Sequence, residues 1–129
     1  MRTQAISALA LGLAAIAIEP AAARELSGAE IRELIRGRVV RLNTPFGVAL
    51  PLHYRNDGTV VGDVSRFSAA RMLAPKEEGR WWIQGDAMCQ QWPSWYNGRR
   101  FCFEIRSLAP DKIAWTRDDG AKGTAVIDP

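Results

Sequence analysis

The chain holds only two cysteines, Cys89 and Cys102, and they flank Pro93-Ser-Trp-Tyr-Asn-Gly98, a segment rich in turn-forming residues. On either side lie runs suited to β-strands, Ala87–Trp92 and Arg99–Ser107. Antiparallel pairing with Cys89 opposite Cys102 sets Met88 opposite Phe103. It also places Phe101, Phe103 and Ile105 with Met88 on the face away from the sulfurs. Directly opposed Cα atoms lie about 4.5–5.5 Å apart, within disulfide range. Such a crosslink would stabilise the fold by roughly 3 kcal/mol. One pair of residues thus proposes a hairpin, its register and a core-facing surface.

A disulfide requires an oxidising compartment, and the start of the chain points to one. Arg2 supplies a positive charge, Ala5 to Ile18 is an almost unbroken apolar run, and Ala21-Ala22-Ala23 has the small-residue pattern of a cleavage site. The run falls short of the roughly 20 apolar residues of a membrane span, and Glu19-Pro20 ends it. Residues 1–23 are expected to be a secretory signal peptide, and 24–129 a single small β domain. No cysteine follows the signal directly and no twin arginine precedes it. The expected location is therefore periplasmic or extracellular, without a lipid anchor and without a cofactor loaded before export. Removing Arg2 and Glu19 leaves the net charge at +3, with the charges interspersed. A dense basic stripe is absent, which argues against a nucleic-acid partner.

Within the remaining chain one helix is expected, Leu26 to Arg36. Ser27 and Glu30 have capping-box spacing, and Leu26 with Ile31 the spacing of a hydrophobic staple. Ile31, Leu34 and Ile35 form one apolar stripe, and Gly37 ends the helix. Strands are expected at Val39–Asn43, Gly47–Arg55, Thr59–Val64, Arg80–Gln84, Ala87–Trp92, Arg99–Ser107, Lys112–Arg117 and Thr124–Asp128. Asn56-Asp57-Gly58, Gly85-Asp86, Asn97-Gly98 and Asp118-Asp119-Gly120 punctuate them. Phe67 to Glu78 reads either as a helical turn before Pro75 or as a long loop. The fold class that follows is mainly β: a small antiparallel meander or barrel of about seven or eight strands, with one N-terminal amphipathic helix and one disulfide.

Catalytic signals are sparse. The sole histidine, His53, is expected to be a half-buried strand residue, and a lone His with two oxidised cysteines leaves no metal site. Ser65, Ser68, Ser94 and Ser107 lack a nucleophile-elbow context. A carboxylate pair such as Glu104 with Asp86 has the residue types of a glycosidase, whose spacing only a fold can set. The aromatic content says more. Five tryptophans stand in this short chain, and in Trp81-Trp82 the two rings must face opposite sides of a strand. The segment Trp95, Tyr96, Arg99 and Arg100 combines the residue types enriched at binding hot spots on a loop held at its base by the cystine. It is the expected recognition surface. The alternative role for Trp95 is to fold back and cap the barrel end.

Leu26, Ser27, Glu30 and Ile31, then Tyr54, Asp57, Gly58, Thr59 and Gly62, then Gly79, Trp81 or Trp82, Cys89, Trp92, Cys102 and Phe103 form an ordered pattern. It resembles a family of small exported alphaproteobacterial proteins of unknown function, over nearly all of the chain after the signal. The resemblance implies export and a small β fold, and carries no catalytic residues. Trp82-Ile-Gln-Gly85 is loosely similar to a segment of periplasmic lysozyme inhibitors, whose Ser-Gly-x-x-Tyr element is absent here. The expected function is that of a non-enzymatic periplasmic binding or interaction module, without cofactor. Its partner would be envelope carbohydrate or an envelope protein, hydrolase inhibition included. An envelope hydrolase working through carboxylates is the alternative.

Overall fold

The computed structural model describes Gly12 and residues 23–45, 47–66 and 74–129. The signal-peptide reading therefore falls almost wholly outside the described residues, as does most of the ambiguous Phe67–Glu78 segment.

Nine strands and one helix follow in the order β1 (Arg24–Glu25), α1 (Gly28–Ile35), β2 (Arg38–Asn43), β3 (Ala49–Tyr54), β4 (Thr59–Asp63), β5 (Lys76–Gln84), β6 (Ala87–Gln91), β7 (Phe101–Ala109), β8 (Lys112–Arg117) and β9 (Lys122–Ile127). From β2 to β9 each strand pairs antiparallel with the next, and β9 returns to β2 through Val40↔Ile127, Arg41↔Val126 and Leu42↔Ala125. The result is a closed eight-stranded up-and-down barrel, an arrangement that leaves few strand edges open. On one edge of β7, β6 pairs with Phe101 to Phe103, and β1 takes up Arg106 and Ser107 further along. β1 thus fills the edge that β6 vacates.

Eight of the strands match the expected runs to within a few residues. β5 begins at Lys76, four residues before the expected Arg80, because the alternation that buries Trp81 continues back through Gly79 and Glu77. The two-residue β1 carries no sequence signal of its own. The helix is not N-terminal as expected: it follows β1 and leads into β2.

Local chemistry explains α1. The Ser27 hydroxyl accepts from the Glu30 amide (3.2 Å), and the Glu30 carboxylate accepts from the Ser27 amide (3.2 Å), so the capping box closes. Leu26, Ile31 and Ile35 join the core. Arg36 caps the C-terminus, and the Gly37 amide donates to the Tyr54 carbonyl at 2.6 Å, tying the helix to β3.

Since strands alternate in direction, the β3–β4, β5–β6 and β7–β8 turns gather at one end of the barrel, and the β2–β3, β4–β5, β6–β7 and β8–β9 connections at the other. α1 packs on β2, β5 and β6 and covers the first end. The second is closed by Trp92 and Trp95, 2% and 4% exposed, with ring centroids 4.5 Å apart. Glycines make room for these rings. A Cβ on Gly62 would meet Trp95 at 2.6 Å, and one on Gly79 would meet Trp92 at 2.9 Å. Between the ends lie Trp81, whose Nε1 donates to the Arg55 carbonyl (2.9 Å), and Tyr54, whose hydroxyl donates to the buried Gln90 Oε1 (2.7 Å). Burial pushes the Tyr54 hydroxyl pKa well up, so it stays a donor.

The cystine forms as expected: Cys89 and Cys102 are register partners with Cα atoms 4.0 Å apart, and Met88 faces Phe103. It sits on the outer face of the barrel.

Candidate functional site

The β6–β7 loop is a short turn, Trp95–Gly98, between two strands crosslinked near its base. Trp95 is buried. Its indole Nε1 donates to the Ala74 carbonyl at 2.8 Å and its ring fills the space above Gly62. Of the four expected recognition residues, Trp95 therefore works inside the barrel mouth, whereas Tyr96, Arg99 and Arg100 are exposed. Tyr96 and Arg99 both stand beside Phe101, and Arg100 is exposed next to them in the chain.

The backbone there is unusual. Tyr96 (φ 55°, ψ 31°) and Asn97 (φ 57°, ψ 31°) both lie in the left-handed region, followed by Gly98 at φ 69°. For non-glycine residues this conformation costs roughly 1–2 kcal/mol each, which Asn bears better than Tyr. Several contacts outside the loop hold it. The Glu77 carboxylate accepts from the Ser94 hydroxyl, the Ser94 amide (3.1 Å) and the Trp95 amide (3.1 Å). Gln91 Nε2 donates to the Gly98 carbonyl at 2.8 Å. Tyr96 stands edge-on to Phe101, with centroids 5.2 Å apart. The Arg117 guanidinium lies 4.3 Å from the Phe101 centroid and 5.3 Å from that of Tyr96, and Arg99 lies 5.1 Å from Phe101.

Charge follows from these contacts. Glu77 is 9% exposed; burial opposes its charge, but the Ser94 hydroxyl and the Trp95 and Ser94 amides more than offset that, and its carboxyl titrates below the usual range. The Arg117 guanidinium, bonded twice to Asp119 at 2.8 Å, holds that carboxyl down at about 2. Arg117 is thereby neutralised. Arg99 and Arg100 make no ion pair among the described residues. The loop exposes one aromatic ring, Tyr96, and two guanidinium groups, Arg99 and Arg100, without ion pairs among the described residues.

Sequence reading missed the braces, Glu77, Gln91 and Arg117. Glu77 was findable in principle: it has the same parity as Trp81, so one strand extended two pairs backwards would have turned it inward. Arg117 has the parity of Ile113 and Trp115 on β8, which brings it level with Phe103 on the neighbouring β7 and close to Phe101.

Elsewhere, His53 is exposed rather than half-buried, because Leu52 and Tyr54 point inward and force their neighbour outward. Asp86 and Glu104 share a cleft: with Glu25 and Glu30 they line a space of about 550 Å³ between β1, α1 and the β6–β7 pair. Asp86 Oδ1 accepts from the Gly28 amide at 3.0 Å, and Glu30 is bound to Arg24 and Ser27. Among the described residues no cluster of three or more His, Cys, Asp or Glu could hold a metal ion. No described helix is long and apolar enough to cross a membrane.

No protein-family model, curated protein or solved structure matches this chain.

Proposed function

We propose that this chain is a non-enzymatic binding module of the cell envelope, exported by its N-terminal segment, that engages a partner through Tyr96, Arg99 and Arg100. One observation carries this reading. An exposed tyrosine, 51% accessible, is held in a left-handed backbone conformation by three independent braces. A strained residue that the surrounding structure over-determines, with its side chain facing solvent, is what a pre-organised recognition surface requires. Stability alone would place glycine there. Between envelope carbohydrate and an envelope protein, a projecting aromatic on a loop that also exposes two guanidinium groups without ion pairs favours an acidic protein surface, where Tyr and Arg act as anchors. Blocking a wall-degrading hydrolase is one form such binding takes.

Tyr96→Gly separates the roles. It removes the ring and relieves the backbone cost together, so stability should change by no more than about 1 kcal/mol. Affinity capture from an envelope extract should lose a partner with this variant and with Arg99→Ala/Arg100→Ala. Identical captures by wild type and both variants reject the reading.

The acidic cleft supports a second reading, an envelope hydrolase using Asp86 and Glu104. Glycoside cleavage needs two carboxyls facing one substrate cleft, and these two share one. Glu104→Gln should then abolish release of reducing ends from isolated wall glycan. Equal release, or none with the wild-type protein, removes it.

A further inference from the structure

The outer face of β5 carries a feature that neither reading uses. Two adjoining cavities, of about 770 and about 370 Å³, share Glu78, Gly79, Arg80 and Gln91. The Asp57–Thr59 turn and Trp82 border one, and Pro93 and Gly98 the other. Together they form a trough along β5 that none of Tyr96, Arg99 and Arg100 lines. The register assembles it: Thr59 faces Arg80, Arg80 faces Gln91, and Trp82 faces Cys89. Trp82 is half-buried on this outer face, whereas its neighbour Trp81 is in the core.

We infer that this trough is a saccharide-binding site with Trp82 as its aromatic platform. Its chemistry selects among ligand classes. Two carboxylates, Asp57 and Glu78, disfavour a polyanion such as nucleic acid or an acidic wall polymer. The lining mixes polar and apolar groups, and of its three tryptophans Trp81 and Trp92 are buried, so Trp82 is the one indole offered on the outer face, too little apolar surface for an acyl chain. A sugar fits both constraints, since its hydroxyls both donate and accept while its C–H face packs flat on an indole. The polar groups are also set in place beforehand. Asp57 Oδ1 accepts from the Thr59 amide (2.9 Å) and hydroxyl (2.6 Å), Glu78 lies 3.8 Å from Arg55, and the Gln91 amide nitrogen is bound to Gly98. Arg80 makes no ion pair among the described residues, and the Gln91 amide oxygen accepts no hydrogen bond there, so one donor group and one acceptor remain open to a ligand. The cystine backs the platform, for Cys89, the register partner of Trp82, is fully buried and crosslinked to β7.

The test is titration of the ¹⁵N-labelled full chain with two neutral β-1,4-linked tetrasaccharides, one of glucose and one of N-acetylglucosamine. At least one should shift the Trp82 indole N–H resonance with a Kd of about 0.1–1 mM, ordinary for a shallow open site. Read from the backbone amide resonances of Thr59 and Gln91, Trp82→Ala and Arg80→Ala should each weaken that binding about tenfold or more, which corresponds to about 1.4 kcal/mol. Tyr96→Gly should leave it unchanged. If Trp82→Ala fails to fold, Gln91→Ala, altered only at the open acceptor and one loop contact, takes its place. Absence of any Trp82 shift up to about 10 mM of both sugars, or a Trp82 or Gln91 variant that binds like wild type, overturns the site. Loss of sugar binding in Tyr96→Gly instead moves the sugar to the loop surface.

Discussion

At the end of the barrel covered by α1, closure is aliphatic and local. Ile31 and Ile35 drop into the core from a helix whose start is set by Ser27 and Glu30, three residues apart. At the other end, closure is aromatic and assembled from a distance. Trp95 reaches over Gly62, its indole finds a carbonyl at Ala74, and one carboxylate from β5, Glu77, bonds the backbone that carries it. The first end has the design of a lid whose parts fold together. The second is a keystone that stands only when β4, β5 and β6 are already in place. The difference also separates structure from presentation: the helical end buries its stripe, whereas the tryptophan end buries Trp95 and so pushes Tyr96 outward.

That contrast can be broken in order of expected effect. Trp95→Ala should cost the most, about 4 kcal/mol, through the cavity above Gly62 and the orphaned Ala74 carbonyl. Urea unfolding measures it, and a loss under about 1 kcal/mol would show that the ring is not a keystone. Ile31→Ala at the opposite end should cost about 3 kcal/mol. Its Tyr96 and Trp95 resonances should stay near their wild-type positions, because the two closures lie at opposite ends of the barrel; large shifts there would couple the ends.

Glu77 sharpens the comparison through pH. Its carboxyl titrates below the ordinary 4.5, so its bonds to Ser94 and Trp95 contribute fully above that value. The contribution is lost as pH falls from 4.5 through the lower folded value, where the native state must accept a proton. Stability and the Trp95 indole signal should therefore fall together on acidification through that window. Glu77→Gln should be less stable at neutral pH and show a flatter acid limb; an unaltered limb would assign the pH response elsewhere, to Glu30, Asp57, Asp63 or Asp119, the other depressed carboxyls. Ser27→Ala should have the smallest effect, about 1 kcal/mol, confined to amide protection of α1.

Much of the barrel was legible because its signals are short-range. Alternation of side chains sets Trp81 and Trp82 on opposite faces of one strand, and the cysteine pair sets the β6–β7 register. The expected strand Lys112–Arg117 coincides with β8. The β6–β7 loop was legible as a segment with exposed residues but not in its parts. The same hot-spot chemistry that marks Trp95 as a ligand contact marks it as a core plug, and only the position of Gly62 separates the two. Glu77 looked like part of a polar loop because Lys76, Glu77 and Glu78 are all charged, and a charged residue turned inward betrays itself only by what it bonds. His53 was placed by residue type, where strand parity alone would have set it outside.

What the sequence determines by itself is therefore periodic and nearest-neighbour: the strands, the capped helix, the turns and the hairpin register that brings Cys89 to Cys102. These follow from backbone preferences and the two-residue repeat of a strand, which act over a few residues. Closure of β9 on β2, the seating of Trp95 above Gly62, the placing of Arg117 between Tyr96 and Phe101, and the meeting of Trp82, Arg80 and the Asp57 turn in one trough were decided only in three dimensions. The first two depend on which strands become neighbours when the sheet curls shut, the last two on which side chains neighbouring hairpins bring level, and no local propensity encodes those contacts.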